Sequence, residues 1–193
     1  MIVGTTSGSP RVLVVGAESE ESLAALIAAL APRDFRIDVI DRCATPLSRI
    51  GAAREDGDPE IRTIQTDVFE FVSDGAPYDM VVSDSFLKQI APEERVTAVQ
   101  RLAAALSPNG IALFREYIGI HTELLTDFWT QLEARLREVR WHERSSPAAQ
   151  RVLQDRLPAL QAHMAARGGS YESGAAMTDD LRAGGLALIH EHP

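Results

Sequence analysis

The sequence has 193 residues, 45% of them hydrophobic and 24% charged, with a formal net charge of -9 and a pI near 5.0. That length supports one well-buried core and the composition argues against extensive disorder, while the acidic balance argues against unaided binding to nucleic acid or anionic membranes, both of which need a basic face. Cys43 is the single cysteine, so no internal disulfide can form, and no metal-ligand pattern surrounds it. A reduced, cytoplasmic setting is expected. Residues 1–10, rich in Gly, Ser and Thr, lack the charged start and apolar core of a secretory signal and read as a loose lead-in. No apolar run reaches membrane-spanning length.

In chain order, Val12 to Val15, after Arg11, is an apolar run suited to a central parallel strand, and it stops at Gly16. The acidic turn that follows carries Glu18, Glu20 and Glu21, with Ser19 placed to cap a helix. Leu23, Leu26, Ile27 and Leu30 share one face of that helix, and Pro32 ends it. Phe35 to Ile40 is the second strand, closed by Asp41. A carboxylate there can accept hydrogen bonds from a ribose diol or simply stand solvated at a strand end. Leu47 to Arg54 reads as a short helix and Glu55 to Glu60 as a turn. Ile61 to Thr66 is the third strand, followed by Asp67, Val68 and Phe69. Asp67 can accept from an adenine amine against an apolar wall, or cap the turn into Val68 to Val72. Tyr78 to Val82 is the fourth strand, with Ser83, Asp84 and Ser85 at its carboxyl end, where they can line a pocket or cap the next segment.

Pro92 to Leu106 is a core-packing helix: Pro92 suits the first turn, Glu93 and Glu94 suit its positive end, and Val96, Val99, Leu102 and Leu106 form a stripe. Ser107-Pro-Asn-Gly110 is a turn that launches Ile111 to Phe114, the fifth strand, and Arg115-Glu116-Tyr117 follow. Leu124 to Val139 has the pattern of a long amphipathic helix. A second runs from about Pro147 to Met164, bent or split at Pro158. Arg167 to Gly174 reads as a flexible loop, Thr178 as the cap of a short helix Asp179 to Ala183, and Leu186 to His190 as the last strand. These alternations predict a single α/β domain over 1–193. Its core is a doubly wound, mostly parallel, Rossmann-like sheet of about six or seven strands with helices on both faces. The helical insertion before the last strand, 121–171, is expected to be a lid over a substrate or a dimerisation hairpin.

Four features in this order resemble the class I S-adenosylmethionine-dependent methyltransferase family. They are the turn Val15-Gly16-Ala17, the acid Asp41, the pair Asp67-Val68, and Tyr78 to Leu87 ahead of a helix and the run Leu106-Ser-Pro-Asn-Gly-Ile. The resemblance covers about Arg11 to Tyr117, and Leu181 to Leu186 is similar to the family's run into strand six. It implies S-adenosylmethionine as cofactor, with Gly16, Ala17 and Glu18 approaching its methionine and ribose portions. It also implies Asp41 on the ribose hydroxyls, Arg42 beside the adenine, Asp67 and Val68 on the adenine edge, and Ser83 near the sulfonium. The implied reaction is methyl transfer to a small-molecule acceptor, an in-line displacement that rests on positioning. A base is needed only when the acceptor must lose a proton, and Glu116, Tyr117 and His121 are the candidates, each with a capping or strand-end role as its alternative.

Val14 stands where the family has an acid, and Glu18 and Glu20 where it has its second and third glycines. Those acids oppose a pyrophosphate at the helix N-terminus, which ranks an NAD-dependent oxidoreductase below the methyltransferase. A non-catalytic, methyltransferase-like binding or regulatory protein is the other alternative. Six strands against the family's seven would leave a sheet edge for either a tail or a second subunit to cover, the second of these giving a homodimer.

Overall fold

The computed structural model describes residues 9–16, 20–30, 34–52, 60–119, 134, 146–147 and 170–191. Strand β1 (Arg11–Val15) leads to α1 (Glu20–Leu30), β2 (Arg36–Asp41), α2 (Ala44–Ala52), β3 (Glu60–Gln65) and β4 (Tyr78–Asp84). A 3-10 turn over Leu87–Gln89 follows, then α3 (Pro92–Ala105), β5 (Leu106–Arg115) and α4 (Gly174–Ala183). The five strands form one sheet in the order β3-β2-β1-β4-β5, with every neighbouring pair parallel.

The uninterrupted apolar run of β1 has its cause in this layering, because successive side chains meet different helices. Leu13 and Val15 join Ile40, Val81 and the α3 residues Val99 and Leu102 on one face. Val12 joins Ile37 and Val39 with Leu23 of α1 and Leu47 and Ile50 of α2 on the other. Leu13, Ile37, Val39 and Val81 are wholly buried, and each such side chain contributes about 1.5–3 kcal/mol relative to exposure. β2 and β3 lie to one side of β1, β4 and β5 to the other, so the order reverses between β1 and β4. In sheets of this kind the crevice at the carboxyl ends of the strands flanking the reversal is where ligands settle.

The structure moves several expected boundaries. β5 begins at Leu106, because Leu106 pairs with Tyr78 and Ile111 with Met80, so 107–110 turn inside the ladder as an irregularity. α4 begins at Gly174 rather than after Thr178. Ser173 is its cap, in extended conformation, with its side chain accepting from the Ala176 N–H. Tyr171 is buried, so the described end of the expected flexible loop is packed.

Leu186 to His190 does not join the described sheet, which has five strands rather than six or seven. Gly185, at φ +94°, turns the chain out of α4, Leu186 packs against the core, and Leu188 and Ile189 stand 43% and 83% exposed. The Glu191 side chain comes back beside Gly174 at the start of α4. The tail therefore follows α4, not the sheet.

The residues 1–8 of the lead-in, the Ser19 cap, Pro32, the helical patterns 124–139 and 147–164 apart from residues 134 and 147, and nearly all of the 121–171 insertion lie outside the described residues. The chain that leaves at Gly119 is met again at Tyr171: Ile118 bridges Tyr171, and the Gly119 N–H donates to the Tyr171 carbonyl at 2.8 Å. Buried Arg95 of α3 stacks its guanidinium 4.4 Å from the Tyr171 ring centre, a contact strengthened by exclusion of water. No described helix is long and apolar enough to cross a membrane.

Candidate functional site

Register brings the carboxyl ends of the first four strands into line. Val15 pairs with Ile40 on one side and Ser83 on the other, and Asp41 pairs with Gln65. Gly16, Asp41, Arg42, Asp67, Val68 and Ser83 therefore share one edge of the sheet, across the reversal. Gly16 sits at φ +83°, in the left-handed region, with its N–H donating to the Ile40 carbonyl at 2.9 Å. A Cβ there would lie 3.4 Å from Cδ2 of Phe86. Glycine thus allows both the turn and the close approach of the Phe86 ring.

Asp41 Oδ1 accepts from the Cys43 N–H at 2.7 Å, which fixes the carboxylate at the strand end. Asp67 Oδ1 accepts from the Phe69 N–H at 3.0 Å, and its carbonyl accepts from Glu70 and Phe71, so it caps its turn. Its Oδ2 lies 3.8 Å from Arg42 Nη1, joining the ends of the second and third strands. Val68, 4% exposed, packs into the core beneath that turn. Ser83 is 1% exposed, and its Oγ has no hydrogen-bond partner among the described residues. A buried hydroxyl in that state is costly unless a ligand or water completes it. Ala17, Glu18 and His121 lie outside the described residues.

At the β4 and β5 ends the structure assembles a cluster that the strand patterns alone do not show. Arg115 Nε donates to Asp84 Oδ1 at 2.7 Å and its Nη2 pairs with Oδ2, a two-pronged contact. Ser22 of α1 donates to Oδ2 at 2.9 Å, and Ser85 donates to Oδ1 at 3.1 Å. Burial pushes the Asp84 carboxyl up, but the Arg115 guanidinium and the Ser22 hydroxyl outweigh it and hold the group below the usual carboxylate range. Ser85 is buried at φ 57°, a left-handed conformation unusual for serine.

Glu116 turns to backbone, with Oε1 accepting from the Leu87 N–H at 2.8 Å and Oε2 from the Lys88 N–H at 3.3 Å. Tyr117 is 52% exposed and carries the Lys88 ammonium 4.7 Å from its ring centre. The signal for the Asp84–Arg115 pair was an acid and a base closing neighbouring strands. It becomes readable only once Asp84 and Arg115 are known to be in register.

A second charged cluster lies toward the opposite end of the sheet. Buried Asp38 of β2 receives Arg62 Nε at 2.8 Å and Nη2 at 2.9 Å, the Tyr78 hydroxyl at 2.6 Å and Arg11 Nη2 at 3.0 Å. Asp74 bridges the same two arginines at 2.9 and 2.7 Å. Burial pushes the Asp38 carboxyl up, and Arg62, Tyr78 and Arg11 more than reverse it. Burial and the Asp38 charge push the Tyr78 hydroxyl up. The cluster ties β3, β2, β1 and β4 together away from the crevice, so its role is in the fold. Its sequence signal is an acid between Ile37 and Val39 in a buried strand.

No protein-family model matches the sequence, and no curated protein matches it. Solved structures do. The cyclopropane synthase MmaA2 from Mycobacterium tuberculosis aligns with a TM-score of 0.62 and 14% identity over 96% of this chain and 57% of its own. The mycolic acid cyclopropane synthase CmaA1, complexed with SAH and CTAB, aligns at 0.60 and 15% over 96% of this chain and 57% of its own. The methyltransferase CalO6 aligns at 0.58 and 21% over 94% and 52%. The chain therefore has the class I S-adenosylmethionine-dependent methyltransferase fold. It spans a little over half the length of these structures.

Proposed function

We propose that the chain transfers a methyl group from S-adenosylmethionine to a small-molecule acceptor. One observation carries this reading. A glycine at positive φ, two strand-end carboxylates and a buried hydroxyl without a partner among the described residues stand together on the carboxyl edge at the reversal of a methyltransferase fold. That set fits the cofactor. Gly16 turns its backbone at the pocket edge with Phe86 packed against it, Asp41 offers its carboxylate to the ribose hydroxyls, Asp67 and Val68 border the adenine with Arg42 beside them, and the Ser83 hydroxyl gains a partner. When bound, the cofactor supplies a methyl group already activated by its sulfonium.

The chain's own contribution is binding and orientation. Asp84 stays ionised in its contact with Arg115, and Glu116 holds two backbone N–H groups. Neither is arranged to take a proton, so an acceptor that must lose one needs another base, for which Tyr117 and His121 are the candidates. The lone Cys43 supports a reduced, cytoplasmic setting.

The test incubates the full chain with methyl-labelled S-adenosylmethionine and panels of phenols, amines, thiols and carboxylates. Label should appear in a small molecule and fall about tenfold or more with Asp41→Ala, the loss expected for hydrogen bonds to a charged group. Label in none of the four classes, with cofactor still bound, would favour the binding-protein alternative.

A further inference from the structure

The 3-10 turn Leu87–Gln89 begins with amides that have no partner inside the turn, and Phe86 at its N-cap supplies no side-chain cap. Glu116 supplies it from the end of β5, with one carboxylate oxygen on Leu87 N–H and the other on Lys88 N–H. A second tie joins the same two stretches, because the Ser85 N–H donates to the Arg115 carbonyl at 2.7 Å. Phe86 lies between the two ties. Its Cδ2 and Cβ stand 3.4 and 3.5 Å from where a side chain on Gly16 would begin. The left-handed conformation of Ser85 re-aims the chain immediately before Phe86.

We propose that Glu116 is a positioning residue for the cofactor, acting through Phe86: its carboxylate sets the 3-10 turn, and the turn holds the Phe86 ring as a wall against the Gly16 backbone. This rests on the cofactor reading above. Glu116 touches neither ligand nor reacting atoms in this account, and the base role open to it from the sequence is replaced by one in pocket shape. A carboxylate suits the task because it accepts from two adjacent amides at once.

The test measures the Kd of S-adenosylhomocysteine by calorimetry on the full chain, with each variant shown folded by circular dichroism. Glu116→Ala should raise Kd about tenfold, and Glu116→Gln, which keeps an acceptor oxygen, should stay within about threefold. Phe86→Ala should also raise Kd about tenfold. Because the two residues act along one path, the double variant should bind within about threefold of the weaker single one, not about a hundredfold below the parent.

A folded Glu116→Ala protein with unchanged Kd, or losses that multiply in the double variant, would overturn the positioning role and leave the cofactor reading intact. An unsubstituted chain that fails to bind would overturn both.

Discussion

A charge inside a buried strand survives only if its surroundings replace the water it has lost, and Asp38 meets that condition with four hydrogen bonds from Arg62, Tyr78 and Arg11. Removing the charge while leaving the arginines should be expensive. Asp38→Asn is expected to cost on the order of 3 kcal/mol in urea denaturation at neutral pH, as for other buried ion pairs that lose one partner. The pH dependence has a definite sign. The folded-state pKa of Asp38 is lowered, so its contribution is complete above the unfolded value of about 3.9 and is lost as pH falls through the folded value. The parent should therefore lose more stability than Asp38→Asn between neutral pH and about pH 3. Equal losses in the two proteins would show that the cluster does not stabilise the fold through this charge.

Helix α4 shows how an element's start depends on one side chain. Ser173 and Thr178 are both acceptable caps by residue type, and Thr178 stands just ahead of Asp179 and Asp180, where a helix dipole favours acids. The structure uses Ser173, since Tyr171 is anchored by Arg95 and Ile118 and the chain is already in place to turn there. Ser173→Ala should destabilise the protein by about 1 kcal/mol in chemical denaturation, and Thr178→Ala by less, because only one of them is the cap. The reverse order would return the helix start to Thr178.

The same dependence on context explains which elements were readable. β1 to β4, α1 and α3 were legible from their apolar runs and stripes, because each buries a regular set of positions in one of the two core layers. The start of β5 was not, since the irregularity at 107–110 exists only relative to Tyr78 and Met80. Leu186 to His190 has the composition of a strand, but composition does not provide a ladder partner, and among the described residues it has none.

At the scale of the whole molecule, the sheet order brings scattered residues onto one edge. Gly16, Asp41, Asp67 and Ser83 were legible as members of one edge because strand-end positions in a parallel sheet all face the same way. The roles of Asp84, Phe86 and Glu116 were not, because they depend on the register between β4 and β5 and on a turn capped from a distant strand. The acids that follow Gly16 in the sequence argue for a cationic ligand rather than a pyrophosphate, and the fold is shared with structures that include one complexed with SAH. Cofactor binding is therefore the claim on which the account stands. Calorimetric titration of the full chain with S-adenosylhomocysteine tests it most directly: one saturable site per chain is predicted, and the absence of any binding up to millimolar ligand would contradict it.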